Sequence, residues 1–224
     1  MVHQGPTVEP RPSASVLLVR GGSPWEVLMM RRPEGAEFAP GAYVFPGGSV
    51  HEEDRRFPDE VRAAAARELF EEVGILLARR GRRFAREREG RRLRALLGEQ
   101  LGWPDALAAA GLEPAHDRLA LLARWITPEP LRRRFDTRFY LARLPAGQTV
   151  HPQPGEVVDW MWVVPGPALA DQRLALVYAT RRILESVAAE PDPRRLFTRV
   201  RRRRTVQPVT PRLVQRDGGW TVEQ

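Results

Sequence analysis

Between Pro58 and Gly74 the chain reads as a single helix, and that helix constrains everything around it. Proline suits a first helical turn, Asp59 and Glu60 complement the dipole there, four alanines (Ala63 to Ala66) favour propagation, and Gly74 ends the run. Successive residues turn by about 100°, so with Glu68 at zero, Glu72 falls near about +40° and Glu71 near about −60°. Leu69 and Val73 turn the other way, toward a core. Three carboxylates therefore share one face.

The bland reading of such a face is solvation and salt bridging. It accounts for Glu71, which has Arg67 four residues earlier. Glu68 and Glu72 have no cation at helical neighbour spacing and repel each other at i,i+4. A bound cation would relieve that cost. The chain has no cysteine, and its four histidines (His3, His51, His116, His151) are scattered, so carboxylate oxygens would have to carry a metal. Oxygen ligands favour a hard ion, magnesium or manganese.

Around this helix the chain reads as a mixed α/β fold. Residues 1–12 form a proline-punctuated lead-in. Ser13 to Val19 and Trp25 to Arg31 flank Gly21-Gly22-Ser23-Pro24 as a hairpin, and Ala42 to Phe45 is a short strand entering a turn at Pro46-Gly47-Gly48. Ile75 to Ala78 is expected as a short strand, and the insert (about 79–118) as helical up to Gly111. Further strands are expected at Leu119 to Ile126, Phe135 to Leu144 and Val157 to Val164, with a closing helix from Leu174 to Ala189. The organisation is then a lead-in, a domain over 13–190, and an arginine-rich extended tail over 191–224.

The net charge of +8 is carried by arginine alone, for there is no lysine. Nine arginines lie between Arg79 and Arg94 and seven between Arg194 and Arg204. Such runs suit solvated faces more often than nucleic-acid contacts, so a nucleic-acid partner is not favoured. No stretch approaches the roughly 20 apolar residues a membrane helix needs, and the first apolar run is too short for a signal-peptide core. A cytoplasmic location without membrane contact is expected.

The segment Gly48-x5-Asp54, then Arg67-Glu68-Leu69-Phe70-Glu71-Glu72-Val73-Gly74-Ile75, resembles the Nudix box, Gly-x5-Glu-x7-Arg-Glu-U-x-Glu-Glu-x-Gly-U with U aliphatic. The second half matches at every defined position. Two departures stand in the first half: Asp54 occupies the place of a glutamate, and twelve residues rather than seven separate it from Arg67. Glu60, near the helix start, competes with Asp54 for that role. Val27 to Arg32, the run from Phe38 to Gly48, Arg124 to Pro128 and Arg134 to Tyr140 are similar to the branch containing coenzyme A and acyl-coenzyme A diphosphatases, in its peroxisomal-type subgroup with a helical insert after the box.

The resemblance implies a Nudix fold, a mixed β-sheet sandwiched between α-helices with a helical insert after the box helix. It implies a metal-dependent hydrolase of a nucleoside diphosphate derivative, with coenzyme A or its acyl derivatives first. ADP-ribose, NADH or FAD-type substrates are the alternative. A catalytically degenerate scaffold binding nucleic acid is the alternative from another class. Glu68, Glu71, Glu72 and the Gly48 carbonyl are the implied metal ligands, with Mg2+ or Mn2+ as cofactor. Arg67 would pair with a box carboxylate and hold the helix, and the general base is either a helix glutamate or Glu156, in the loop before the Val157 strand. Arg31 and Arg32 with Gly47 and Gly48 are the candidate substrate contacts, and Arg134 and Arg138 are weaker ones. Dimers are frequent in the family, and nothing in the sequence marks an interface.

Overall fold

A computed structural model describes residues 7–216 and 219–223. His3 and the first half of the expected lead-in lie outside them. The chain begins β1 (Arg11–Gly21), β2 (Trp25–Arg31), β3 (Tyr43–Val44), β4 (Gly47–Ser49) and α1 (Glu60–Val73). The insert follows as β5 (Ala78–Arg80), β6 (Arg83–Phe84), α2 (Glu87–Gly98), α3 (Trp103–Ala110) and β7 (Glu113–Pro114). Then come β8 (Ala120–Ile126), β9 (Phe135–Arg143), β10 (Asp159–Val163), α4 (Pro165–Ala170), α5 (Tyr178–Ala188), α6 (Pro193–Arg202), β11 (Pro208–Val209), β12 (Arg212–Arg216) and β13 (Gly219–Glu223). No helix among the described residues is long and apolar enough to cross a membrane.

The main sheet runs β10-β2-β1-β9-β8-β11 and is mixed, because β1 and β9 are parallel while β1 and β2 are antiparallel. β1 and β2 are buried over continuous runs, as strands covered on both faces must be. Val16, Leu18, Leu28 and Met30 meet Val61, Leu69 and Val73 of α1. Leu17, Val19, Val27 and Met29 point the other way, onto Ile183, Leu184, Leu196 and Phe197 of α5 and α6. The expected α/β sandwich is therefore the observed fold.

β1 changes partner along its length. Residues 13–15 pair with β4, and residues 19–21 pair with β2. β4 thus lies against the first half of β1, upstream of the box helix.

Five expectations are corrected. Gly47 and Gly48 lie in strand β4 rather than in a turn. Ile75 to Leu77 lie outside any strand, held by the Gln148 side chain and the Ala115 N–H, and the strand starts only at Ala78. The insert is helical through α2 and α3 but opens on a hairpin, β5 and β6, that β7 completes as a three-stranded sheet. The tail is not extended through its arginine run. Asp192 caps α6 by accepting from the Arg194 backbone, Pro193 occupies its first turn, and Leu196, Phe197 and Val200 form a buried stripe. The charge of that segment obscured its three apolar anchors. β1 also begins at Arg11, inside the expected lead-in.

Candidate active site

α1 is capped at both ends. Asp59 accepts from the Arg62 backbone at 3.0 Å, and Gly74 takes the left-handed conformation with its N–H on the Phe70 carbonyl. The last-turn carbonyls are used by other segments. Gln153 donates its backbone N–H to Glu72 O at 2.8 Å, His151 to Val73 O at 2.9 Å, and Arg94 of α2 reaches Phe70 O at 3.1 Å. Arg94 also donates to the Gln153 side chain at 2.5 Å. Insert, box helix and the 151–156 loop are thus tied at one point.

Arg67 is fully buried and spends all five donors. Nε and one terminal nitrogen grip Asp54, at 3.1 and 2.9 Å, and that second nitrogen also donates to Ser49 O at 3.0 Å. The other terminal nitrogen reaches Glu68 at 3.0 Å and Glu71 at 2.8 Å. Burial pulls the guanidinium's pKa down, but the Asp54 hydrogen bond and the three surrounding carboxylates outweigh it, leaving it raised. Arg67 stays charged.

This geometry chooses between the two competing acids. Asp54 is fully buried against Arg67, in a 3₁₀ turn (Glu52–Arg56) anchored by the His51 N–H on its carboxylate at 2.8 Å. Glu60 is only half-buried and lies 3.5 Å from Arg55. It also corrects one reading of Glu68. That residue has no cation at helical spacing, yet Arg67, its immediate neighbour, turns its side chain back and pairs with it.

Glu72 is different. It is 7% exposed and accepts from the Gly47 N–H at 2.7 Å, and no ion pair joins it to a cation among the described residues. Burial first, then the Glu68 charge, push its carboxyl well above the usual range, against the Gly47 hydrogen bond and the Arg32 charge. Burial also raises Glu68 and Glu71, with Arg67 opposing.

The two glycines are required by close approach. A Cβ on Gly48 would sit 2.3 Å from a Glu68 carboxylate oxygen, and one on Gly47 would sit 2.2 Å from the Ala14 carbonyl oxygen. β4 therefore presses flat against β1 on one side and the box carboxylates on the other. β4 and the start of β1 also line a cleft of about 760 Å³, to which none of the three box glutamates contributes. Its walls include Gly47 and Gly48, Arg32, Phe38, Trp125, Phe135 and Tyr178.

The expected site residues separate on this map. Arg32 lines the cleft, and its charge acts on Glu72. Glu156 is exposed, yet its charge is felt at both Glu68 and Glu72. Arg31 is not among the cleft-lining residues: it donates to Gly41 O and pairs with Glu34. Arg134 is buried and braces Val8 O and Thr127 O, and Arg138 bonds Tyr140. Tyr178 is not singled out by the sequence, where it reads as one more apolar position within the expected closing helix.

No three Asp, Glu or His side chains among the described residues converge as a ligand set, because Arg67 holds two of the glutamates and Gly47 the third. The donor chemistry nonetheless fits a hard divalent cation. Three adjacent carboxyls, all pushed upward by burial, would be stabilised as anions by a metal.

A mixed sheet between helical layers, with a glycine strand laid across an arginine-pinned acidic helix, sets the chain in one class of α/β sandwich. Sequence comparison relates it to a known domain family. The NUDIX domain family matches residues 9–100. Putative nudix hydrolase 7 of Caenorhabditis elegans is 32% identical over 168 residues, which are 75% of this chain and 56% of that relative. The chain therefore spans little more than half of that relative's length. A NUDIX hydrolase from Alicyclobacillus acidocaldarius is 26% identical, superposes with a TM-score of 0.68, and is matched over 85% of this chain and 96% of its own. The NUDIX domain of Shewanella oneidensis NrtR, crystallised with ADP ribose, shares the fold at 14% identity and a TM-score of 0.52, over 84% and 90% of the two chains. Residues 9–100 match the NUDIX domain family, and the chain is similar over most of its length to Nudix hydrolases.

Proposed function

We propose that this chain hydrolyses the diphosphate linkage of a nucleoside diphosphate derivative, with a divalent cation held by Glu68, Glu71, Glu72 and the Gly48 carbonyl. The observation that carries this reading is Glu72, a buried carboxylate without an ion-pair partner among the described residues, crowded by Glu68 beside a cleft. A purely structural role leaves that crowding uncompensated. When bound, the cation would supply charge neutralisation and Lewis acidity at the diphosphate.

The chain's own residues divide the remaining work. Arg32 lines the cleft, its charge acts on Glu72, and it holds a phosphate oxygen of the substrate. A water oxygen bonds to one phosphorus as the bridging P–O bond breaks, and its proton passes to a carboxylate. A box glutamate or Glu156 accepts that proton, and Glu156, being exposed, exchanges it with solvent. Arg67, its donors already spent, fixes the helix and does not touch substrate.

Within the class, coenzyme A or an acyl derivative is the proposed substrate. The branch resemblance supports it, and so does the cleft, whose Phe38, Trp125, Phe135 and Tyr178 suit a long, weakly polar arm beyond a nucleotide. Its volume falls in the usual range for small-molecule sites. Purified protein offered coenzyme A, ADP-ribose, NADH and FAD, each with magnesium or manganese, decides the matter. Coenzyme A should turn over fastest. Turnover of another member alone would remove the substrate assignment and keep the class, whereas no turnover with salt-dependent RNA binding would remove both.

A further inference from the structure

A second depression lies at the opposite end of β9, roughly 26 Å along that strand from the cleft at Phe135. It encloses about 460 Å³. Four arginines line it, Arg118, Arg143, Arg194 and Arg201, and no acidic residue does. Its floor is apolar: Leu77, Phe84, Leu144 and Phe197. Arg118 lies over the Phe84 ring at 4.7 Å, while Arg143 and Arg201 lie over Phe197 at 5.3 and 5.6 Å. Arg118 has Asp117 at 3.5 Å, and no carboxylate pairs with the side chains of Arg143, Arg194 or Arg201 among the described residues. Other arginines of this chain do find carboxylates, as Arg56 does with Asp105 and Arg124 with Asp136.

We infer that this depression is a binding site for a small anion carrying two or more phosphates. Stacking on the rings fixes the guanidinium planes and leaves their edge N–H groups unspent. Planar, bidentate donors from three segments (the 3₁₀ turn at Arg118, the end of β9, and α6) match the oxygens of a polyphosphate. A solvated basic face needs neither a concave shape nor aromatic supports. Concavity also favours a compact ligand over a nucleic-acid backbone, which tracks extended grooves. Two of the depression's four arginines, Arg194 and Arg201, come from the second arginine run, and Phe84 lies within the first.

The test is calorimetric titration of the full chain with inorganic triphosphate in EDTA, where no turnover interferes and the outcome is independent of the hydrolase assignment. The double variant Arg143→Gln/Arg201→Gln should bind about tenfold or more weakly, as loss of charge-assisted contacts requires. Arg32→Gln, in the cleft, should bind as the parent does. Both changed side chains in the double variant are exposed, and an unchanged melting temperature certifies its fold. Equal affinity of double variant and parent would overturn the site, as would loss of binding in Arg32→Gln alone. A single-stranded RNA displacing triphosphate at lower phosphate concentration would overturn the small-ligand assignment.

Discussion

Replacing Arg67 by alanine should be among the most damaging single changes in this chain. Arg67 and Asp54 are both fully buried, so neither regains water when its partner is removed. Breaking such a pair costs about 3–5 kcal/mol. Arg67→Ala also strips Glu68 and Glu71 of their counter-charge and orphans the Ser49 carbonyl, placing it near the upper end, about 5 kcal/mol. Asp54→Ala leaves the guanidinium still bonded to Glu68, Glu71 and Ser49, so its cost should lie near the lower end, about 3 kcal/mol. The double variant then costs less than the sum of the two by about 2 kcal/mol, since each single change strands what the other removes. Glu60→Ala, which touches only an exposed pair at 3.5 Å, should stay within about 0.5 kcal/mol. Urea unfolding followed by far-ultraviolet circular dichroism, with the denaturant slopes compared, measures all four. An Asp54→Ala cost under about 1 kcal/mol, or additivity in the double variant, would refute the central place given to this pair.

Three further outcomes follow from the same geometry. Glu72→Gln keeps an acceptor for the Gly47 N–H and relieves repulsion with Glu68, so the melting temperature should hold or rise while hydrolysis falls roughly a hundredfold or more; near-normal turnover would dismiss the proposed ligand set. Gly48→Ala places a methyl 2.3 Å from the Glu68 carboxylate, and should lower both activity and stability, the latter by about 1–3 kcal/mol in a denaturant titration. Leu196→Ala should cost about 2–5 kcal/mol, because that side chain is wholly buried under the sheet, and an unchanged unfolding midpoint would show that α6 is not docked.

The parts legible in the sequence were those with a period or a punctuation mark. β1 and β2 announced themselves as apolar runs about a glycine-proline turn, and α1 by its alanines, its acidic start and its terminal glycine. The shared face of Glu68, Glu71 and Glu72 followed from helical geometry alone. What stayed hidden depended on neighbours distant in sequence. Glu68 gains its partner because the buried Asp54 holds Arg67 in one pose, and no spacing rule on the helix reports that. Gly47 and Gly48 looked like a turn because glycine usually makes one, yet here they serve the near-contact of β4 with Ala14 and Glu68. α6 was masked by composition, its three anchors outnumbered by arginines on the exposed side.

The 3₁₀ turn that delivers Asp54 also joins two oddities of the sequence into one. A carboxylate one methylene shorter reaches about 1.5 Å less, and alone it would fall short of a guanidinium locked in the core. The longer spacer lets the backbone itself travel to Arg67, with the His51 N–H fixing the acid's aim. Short side chain and long loop are thus a matched cassette. A chimera that borrows one without the other inherits either an acid that cannot reach or a loop with nothing to deliver, so the segment from Gly48 to Arg67 is the unit to exchange when parts are recombined among relatives.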